Sequence, residues 1–196
     1  MLAAKHSFIL ASASPRRKEL LSGAGYKFDI IISNIDESKI KTEGLTPAQF
    51  ACAAAIAKAN DVAEKFPQNF IVAADTIADF DGQIIGKAQN AKQAEQITRK
   101  LFSKPHKVIT AIAIVKKNIG LEIVDYDTTT VYPRKLTEAQ IAEHIASKSW
   151  KDKAGAYAIQ QGSDKFIDHI DGSETNVMGM SMELFEKMIK KIWFVV

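Results

Sequence analysis

Short apolar runs alternate with longer stretches whose apolar residues follow helical spacing. The short runs predict strands over residues 7–12, 28–33, 69–75, 108–115, 121–133 and 166–170. The third run is almost continuously apolar until it ends at Asp75, which is typical of a strand covered on both faces. Asp81-Gly82 is a hairpin-turn signal, and the strands at 108–115 and 121–133 are expected to pair across a turn near Gly120.

Helix starts are marked by residues that cap exposed backbone N–H groups. These signals are Ser14 before Pro15, Thr46 before Pro47, Asn90, and a capping box that begins at Thr137. They predict helices over residues 15–22, 47–66, 91–102 and 137–147, and a final helix is expected over residues 181–192.

The order of these elements indicates the fold class. Strands and helices alternate, which predicts an α/β fold, and the antiparallel hairpin in the middle of the chain makes a mixed sheet the expected arrangement. Repeats and Pro/Gly/Ser-rich linkers are absent from the sequence, so residues 1–196 are expected to form a single domain.

Composition narrows the classes of partner. The chain has 26 basic and 23 acidic residues without a basic tail, so nucleic acid is not an expected partner. Apolar runs stay well below the ~20 residues of a membrane span, so no membrane partner is expected. Cys52 is the single cysteine, which fits a reducing compartment, and a cytoplasmic location is expected.

The segment ILASASPRR raises an electrostatic question, because two arginines occupy the first turn of a predicted helix. Cations there are disfavoured by roughly 0.3 to 1 kcal/mol by the helix dipole. A bound anion would reverse this effect, so Ser12, Ser14, Arg16 and Arg17 are candidates for holding a polyphosphate. The alternative is that both arginines lie in solvent.

Two carboxylates follow predicted strands. Asp75 comes where open α/β sheets present catalytic groups, and it is a candidate base or metal ligand. Glu37 lies in an acidic turn, and a pair of carboxylates with substrate phosphates would suit Mg²⁺. The alternatives are a solvated strand end and a solvated loop acid.

Other polar residues interrupt apolar or glycine-containing stretches. Lys58 and Lys87 could each contact phosphate, and the Gln160 amide could hydrogen-bond a nucleobase. The alternative for each is a solvated side chain. The four histidines have no metal-ligand spacing and are interpreted as structural or surface residues: His6, His106, His144 and His169.

Taken together, six segments have a specific order and spacing. They are ILASASPRRKELL, Asp36-Glu37, Ala57-Lys58-Ala59, AADTI, DGQIIGK and DKAGAYAIQ. From Ile9 to about Leu184 the chain resembles the Maf family of nucleoside triphosphate pyrophosphatases.

The resemblance implies a hydrolase that cleaves a nucleoside triphosphate between its α and β phosphates, using a divalent metal cation, Mg²⁺ or Mn²⁺. It implies an elongated mixed sheet flanked by helices, with a cleft between two lobes, similar to inosine triphosphate pyrophosphatases. It further implies a homodimer and an association with inhibition of septum formation.

Site residues follow from the same resemblance. Asp75 matches the general base and Glu37 the acidic residue near the metal. The residues that match the phosphate side are Ser12, Arg16, Arg17, Lys58 and Lys87. Arg16, Thr76 and Gln160 resemble the branch that acts on dTTP and UTP, with modified pyrimidine nucleotides as further candidates.

Two other classes of function are open at this level. One is a noncatalytic nucleotide-binding regulator of cell division, which would bind a nucleotide in the same cleft without hydrolysis. The other is a nucleic-acid-binding module, whose affinity would fall steeply with salt.

Overall fold

The computed structural model describes residues 7–41, 43–151, 153–157 and 166–193, which contain a seven-stranded mixed sheet. The strands are β1 (Phe8–Leu10), β2 (Phe28–Ile30), β3 (Phe70–Phe80), β4 (Gln83–Ile85), β5 (His106–Lys116), β6 (Leu121–Pro133) and β7 (Ile167–Asp171). The sheet order is β2-β1-β3-β5-β6-β7, with β4 also paired to β3. Pairing is parallel among β1, β2 and β3 and antiparallel elsewhere, so the predicted α/β class with a mixed sheet is confirmed.

Six α-helices accompany the sheet in the described ranges. They are α1 (Pro15–Gly23), α2 (Pro47–Ala63), α3 (Ala91–Leu101), α4 (Glu138–Ala146), α5 (Glu174–Met178) and α6 (Met182–Trp193). Thr46 and Thr137 both form the capping boxes that their sequence context favours, and the Asn90 side chain accepts from the Gln93 N–H. The short α5 was not predicted, because a segment of this length shows no helical periodicity. None of the helices described is both long and apolar enough to cross a bilayer.

Both faces of the sheet are covered by helices. Alternate residues of β3 point to opposite sides: Ile71 and Ala73 pack with α2, whereas Val72 and Ala74 pack with α6. Helix α2 presents alanines to the sheet, and their small side chains allow its backbone to approach closely. This close packing is what brings polar residues of α2 within reach of β3.

The prediction that β3 ends at Asp75 is wrong. The strand continues to Phe80, because β5 pairs with it from Ile71 to Asp79. The strand pairing of β3 is interrupted on its other edge, the one that does not face β5. There β1 pairs up to Val72 and β4 pairs from Ala78, so residues 73–77 have no strand partner on that edge among the described residues.

Candidate active site

A cleft opens beside the unpaired stretch of β3, and it consists of two adjoining hollows. The larger has a volume of about 670 Å³ and the smaller of about 100 Å³. The larger lies within the range of roughly 300 to 1,000 Å³ typical of ligand sites. Five of the predicted site residues line both hollows: Ser14, Arg16, Arg17, Lys58 and Lys87.

A lysine between two carboxylates forms the floor of the cleft. Lys58 Nζ lies 2.6 Å from Asp75 Oδ1 and 3.0 Å from Glu37 Oε1. The side chains of Lys58 and Asp75 are only 12% and 8% exposed, whereas that of Glu37 is 47% exposed. The Lys58–Asp75 pair is therefore shielded from solvent. Glu37, which is more exposed, forms the second ion pair of Lys58.

The neighbouring cations alter the pKa of Glu37. Burial disfavours its ionised form, but the Lys58 ammonium and its hydrogen bond, with Lys87 and Arg17, outweigh burial and hold the pKa of Glu37 below its ordinary value of 4.5. A carboxylate with a lowered pKa in the folded state stabilises the protein above its unfolded-state pKa, and that stabilisation is lost as the pH falls through the folded-state pKa.

We expect Glu37→Gln to lower the free energy of unfolding relative to the wild type most clearly above about pH 5. As the pH falls below the folded-state pKa of Glu37, the two proteins should become equally stable, which urea denaturation at several pH values measures. Glu43→Gln, at an exposed position before α2, is the matched control. A difference that persists unchanged in acid would show that the ion pair with Lys58 is not its source.

The two carboxylates also bear on the metal that the sequence resemblance implies. Carboxylate oxygens are hard ligands that suit Mg²⁺ and Mn²⁺. Glu37 and Asp75 both contact the Lys58 ammonium, so the two carboxylates already lie around a single positive charge. The described residues contain no group of three or more His, Cys, Asp or Glu side chains able to hold a metal. The donor set fits an ion that is shared with substrate oxygens and water.

Arg17 forms hydrogen bonds to three different segments that border the cleft. Its Nε donates to Gly179 O at 2.7 Å, its Nη1 to Ser12 Oγ at 3.0 Å and its Nη2 to Thr76 Oγ1 at 3.0 Å. Burial lowers the pKa of Arg17, opposed in part by the charge of Asp75. The guanidinium therefore braces the loop after β1, the middle of β3 and the turn after α5.

Thr76 and Ser12 take part in the same bracing. Thr76 Oγ1 also hydrogen-bonds Thr110 Oγ1 on β5 at 2.9 Å, and the Ser12 hydroxyl accepts from the Ser14 N–H at 3.2 Å. Ser14 occupies the N-cap position of α1, but its side chain forms no capping hydrogen bond. The first turn of α1 thus keeps backbone donors that an anion could use.

Arg16 differs from Arg17. Its side chain has no hydrogen-bond or ion-pair partner within the described part of the chain, although it lines both hollows. Burial lowers the pKa of Arg16, and Glu19 opposes this effect. Arg16 is therefore a partly desolvated cation without a fixed partner, which suits binding of an anionic ligand.

The remaining two predicted site residues are Lys87 and Gln160. Lys87 is exposed and borders both hollows just after β4, where its backbone forms a bridge with Ala154. Gln160 lies outside the described residues, so its predicted contact with a base stays a prediction.

Sequence reasoning missed several residues that border the cleft. Tyr157, Val108 and Val177 form an apolar wall of the smaller hollow. Tyr157 lies in the same AGAY stretch that singled out Gln160, so that signal was available. No local signal marks Val108 or Val177, because their place at the cleft depends on pairing between distant segments.

Comparison with known proteins gives a consistent family. A family model described as "Maf-like protein" matches residues 7–192. A dTTP/UTP pyrophosphatase of Geotalea uraniireducens (strain Rf4) is 42% identical over 182 residues, covering 93% of each chain. Proteins of the same name are 43% identical in Elusimicrobium minutum (95% of this chain, 98% of the relative) and 40% identical in Pyrococcus furiosus (93% of each).

Among solved structures, the Staphylococcus aureus Ham1 protein matches with a TM-score of 0.53 at 12% identity, covering 94% of this chain and 98% of its own. A HAM1 protein from Coxiella burnetii matches with a TM-score of 0.51 at 15% identity, covering 95% and 99%. At these identities the likeness concerns the fold alone.

Proposed function

Because the chain belongs to the Maf-like protein family, we propose that it is a nucleoside triphosphate pyrophosphatase that hydrolyses dTTP and UTP to the monophosphate and pyrophosphate. One observation carries the proposal: a buried Lys58–Asp75 pair faces a cleft whose rim has the unpartnered cation Arg16 and the exposed Lys87. The names of relatives that are 40 to 43% identical over most of the chain support the choice of substrates.

The cations of the cleft bind and neutralise the phosphates. Arg16 and Lys87 both border the larger hollow, and the first turn of α1, which lacks a side-chain cap, adds backbone N–H donors. Phosphoryl transfer requires little covalent chemistry from a protein, so positioning and charge stabilisation supply most of the rate enhancement.

Asp75 is the proposed general base. It accepts a proton from a water molecule whose oxygen attacks the α phosphorus. The bond between that phosphorus and the oxygen bridging to the β phosphorus breaks, and pyrophosphate leaves. Lys58 holds the Asp75 carboxylate in orientation through its 2.6 Å contact.

Glu37 and Asp75 would hold the divalent cation that the sequence resemblance implies. When bound, such an ion neutralises phosphate charge and activates water. Since the protein offers two carboxylates there, the nucleotide itself contributes to holding the ion, and metal affinity should rise when nucleotide is present.

Incubating the protein with a panel of nucleoside triphosphates and Mg²⁺, followed by identification of the products, tests the proposal. Pyrophosphate with dTMP or UMP is the expected result. Orthophosphate with a nucleoside diphosphate would contradict the cleavage position. Tight dTTP binding without pyrophosphate release in Mg²⁺ or Mn²⁺ would instead favour the noncatalytic regulator.

Substitutions of the two arginines should have different effects, one mainly on nucleotide binding and the other mainly on stability. Arg16→Ala should leave the free energy of unfolding within about 0.5 kcal/mol of the wild type and weaken dTTP binding about 10- to 100-fold, because a charge-assisted contact is lost. Arg17→Ala removes three internal hydrogen bonds and should lower the free energy of unfolding by about 1.5 to 4 kcal/mol.

Urea denaturation and calorimetric titration with dTTP measure both effects. Lys18→Ala, at an exposed position of the same helix, is the control and should change neither quantity. If Arg16→Ala destabilised the protein as much as Arg17→Ala, the division of roles between them would be wrong.

A further inference from the structure

Two buried histidines hold the segment that forms the far rim of the cleft, residues 153–157. His106 on β5 and His144 on α4 are 3% and 6% exposed. His106 Nε2 lies 2.7 Å from the Tyr157 hydroxyl, and His144 Nε2 lies 2.8 Å from Ala156 O. Ala156 and Tyr157, two consecutive residues of this rim segment, thus each form a hydrogen bond with an imidazole from a different element.

The protonation of His106 follows from its partners. His106 Nδ1 lies 3.0 Å from Leu101 O, which can only accept, so Nδ1 carries the proton. Burial lowers the pKa of His106 and favours the neutral ring. Nε2 then accepts from the Tyr157 hydroxyl, which gives this bond a defined direction.

Tyr157 connects this bond to the cleft. Its ring packs edge-on against Phe102, with ring centroids 5.4 Å apart, and lines the smaller hollow. Gly155, with φ +73°, packs so closely that a Cβ there would lie 2.9 Å from Leu101 Cδ1 and 3.1 Å from Tyr157 Cε1. The turn of the rim segment is therefore pressed against the residue whose carbonyl orients His106.

The rim segment also supports the backbone at Lys87. The Gly155 N–H donates to Gly86 O at 3.1 Å, and Ala154 forms a bridge with Lys87. Lys87 lies beyond the end of β4, which stops at Ile85, so pairing with β3 does not extend to it. Its backbone position depends on the rim segment instead.

From these contacts we propose that the hydrogen bond between His106 and Tyr157 positions Lys87 at the cleft, which makes both of them positioning residues for the reaction. The part played by Lys87 in binding phosphate rests on the proposed function. The mechanical link, from His106 through Tyr157 and Gly155 to Gly86, does not rest on it.

The first test measures hydrogen exchange and does not depend on enzymatic activity. Tyr157→Phe removes the hydroxyl alone, and hydrogen exchange of the Gly155 amide should become about tenfold faster or more, because local opening of the rim segment becomes easier. Tyr126→Phe is the matched control, because it also removes a single hydroxyl, from a half-exposed ring on β6 that does not line the cleft. Equal exchange at Gly155 in the two variants would overturn the proposal.

The second test measures coupling to Lys87 by steady-state kinetics with dTTP. Tyr157→Phe should raise KM about tenfold and change kcat less when Lys87 is present. In a Lys87→Ala background the same substitution should lower kcat/KM less than about twofold, because the group that it positions is gone. Additive losses would overturn the positioning role.

The outcomes distinguish the two proposals. Absence of pyrophosphate release by the wild-type protein would refute the proposed function, while exchange at Gly155 would still decide whether the His106–Tyr157 bond anchors the rim. Release of pyrophosphate with unaltered exchange and additive kinetics would refute the positioning proposal alone.

Discussion

Replacing Asp75 by Asn should lower the rate of pyrophosphate release by about 10²- to 10⁴-fold, the usual contribution of a general base. Asparagine has nearly the same shape but cannot take a proton from water at neutral pH. Lys58 retains Glu37 as a charged partner, so the cleft keeps its cations and dTTP binding should stay measurable. Single-turnover product analysis and calorimetric titration separate the two effects.

Asp79→Asn is the matched control for this experiment. Asp79 lies on the same strand, and its Oδ1 accepts from the Gly82 N–H at 2.7 Å, a bond that asparagine can also accept. The control should retain the wild-type rate. A near-normal rate in Asp75→Asn would remove Asp75 from the role of base.

Lys58→Met should impair both stability and turnover. Removing one partner of a buried ion pair leaves an uncompensated charge, which costs about 3 kcal/mol or more. In this protein Asp75, whose side chain is 8% exposed, would then face Glu37 without the ammonium between them. Pyrophosphate release should fall at least as far as in Asp75→Asn, since both the base and the phosphate-side cation are affected.

A double substitution identifies the source of that instability. Lys58→Met with Asp75→Asn should regain part of the lost free energy of unfolding, because the unpaired charge is gone, yet stay inactive. Lys92→Met, at an exposed position of α3, controls for loss of a lysine from a helix. If the double variant were no more stable than Lys58→Met, lost packing rather than unpaired charge would explain the destabilisation.

The contrast between Arg16 and Arg17 bears on the charge at the start of α1. Both arginines lie in the helix turn where cations are disfavoured. For Arg17 the structure offers compensation inside the protein, through Ser12, Thr76 and Gly179. For Arg16 the described residues offer no hydrogen bond or ion pair, only the opposing charge of Glu19, and under the proposed function a bound phosphate is the main compensating anion.

Local features of the fold could be predicted from the sequence. The capping boxes at Thr46 and Thr137 form as their spacing predicts, and the Asp81-Gly82 turn has the positive φ angles, 54° and 81°, that its residues favour. Each of these signals involves residues within a few positions of one another, so the chain carries them without help from distant segments.

The resemblance to a family singled out three residues that lie close together in the structure. Lys58 Nζ lies within 3.0 Å of a carboxylate oxygen of both Asp75 and Glu37. Their individual positions in the sequence do not reveal this. Each residue taken alone was also compatible with a solvated side chain, and only the order of the six segments singled out these residues as site candidates.

The sequence alone determined the element types, the caps and the candidate residues, because these depend on short-range spacing and side-chain chemistry. Only the tertiary structure decided where β3 is left unpaired, that Arg17 is committed to internal hydrogen bonds, and that His106 reaches Tyr157 across 51 positions of the chain. Such contacts form between segments brought together by sheet pairing and core packing. Their partners leave no periodic trace in the neighbouring sequence, so no local pattern could have predicted them.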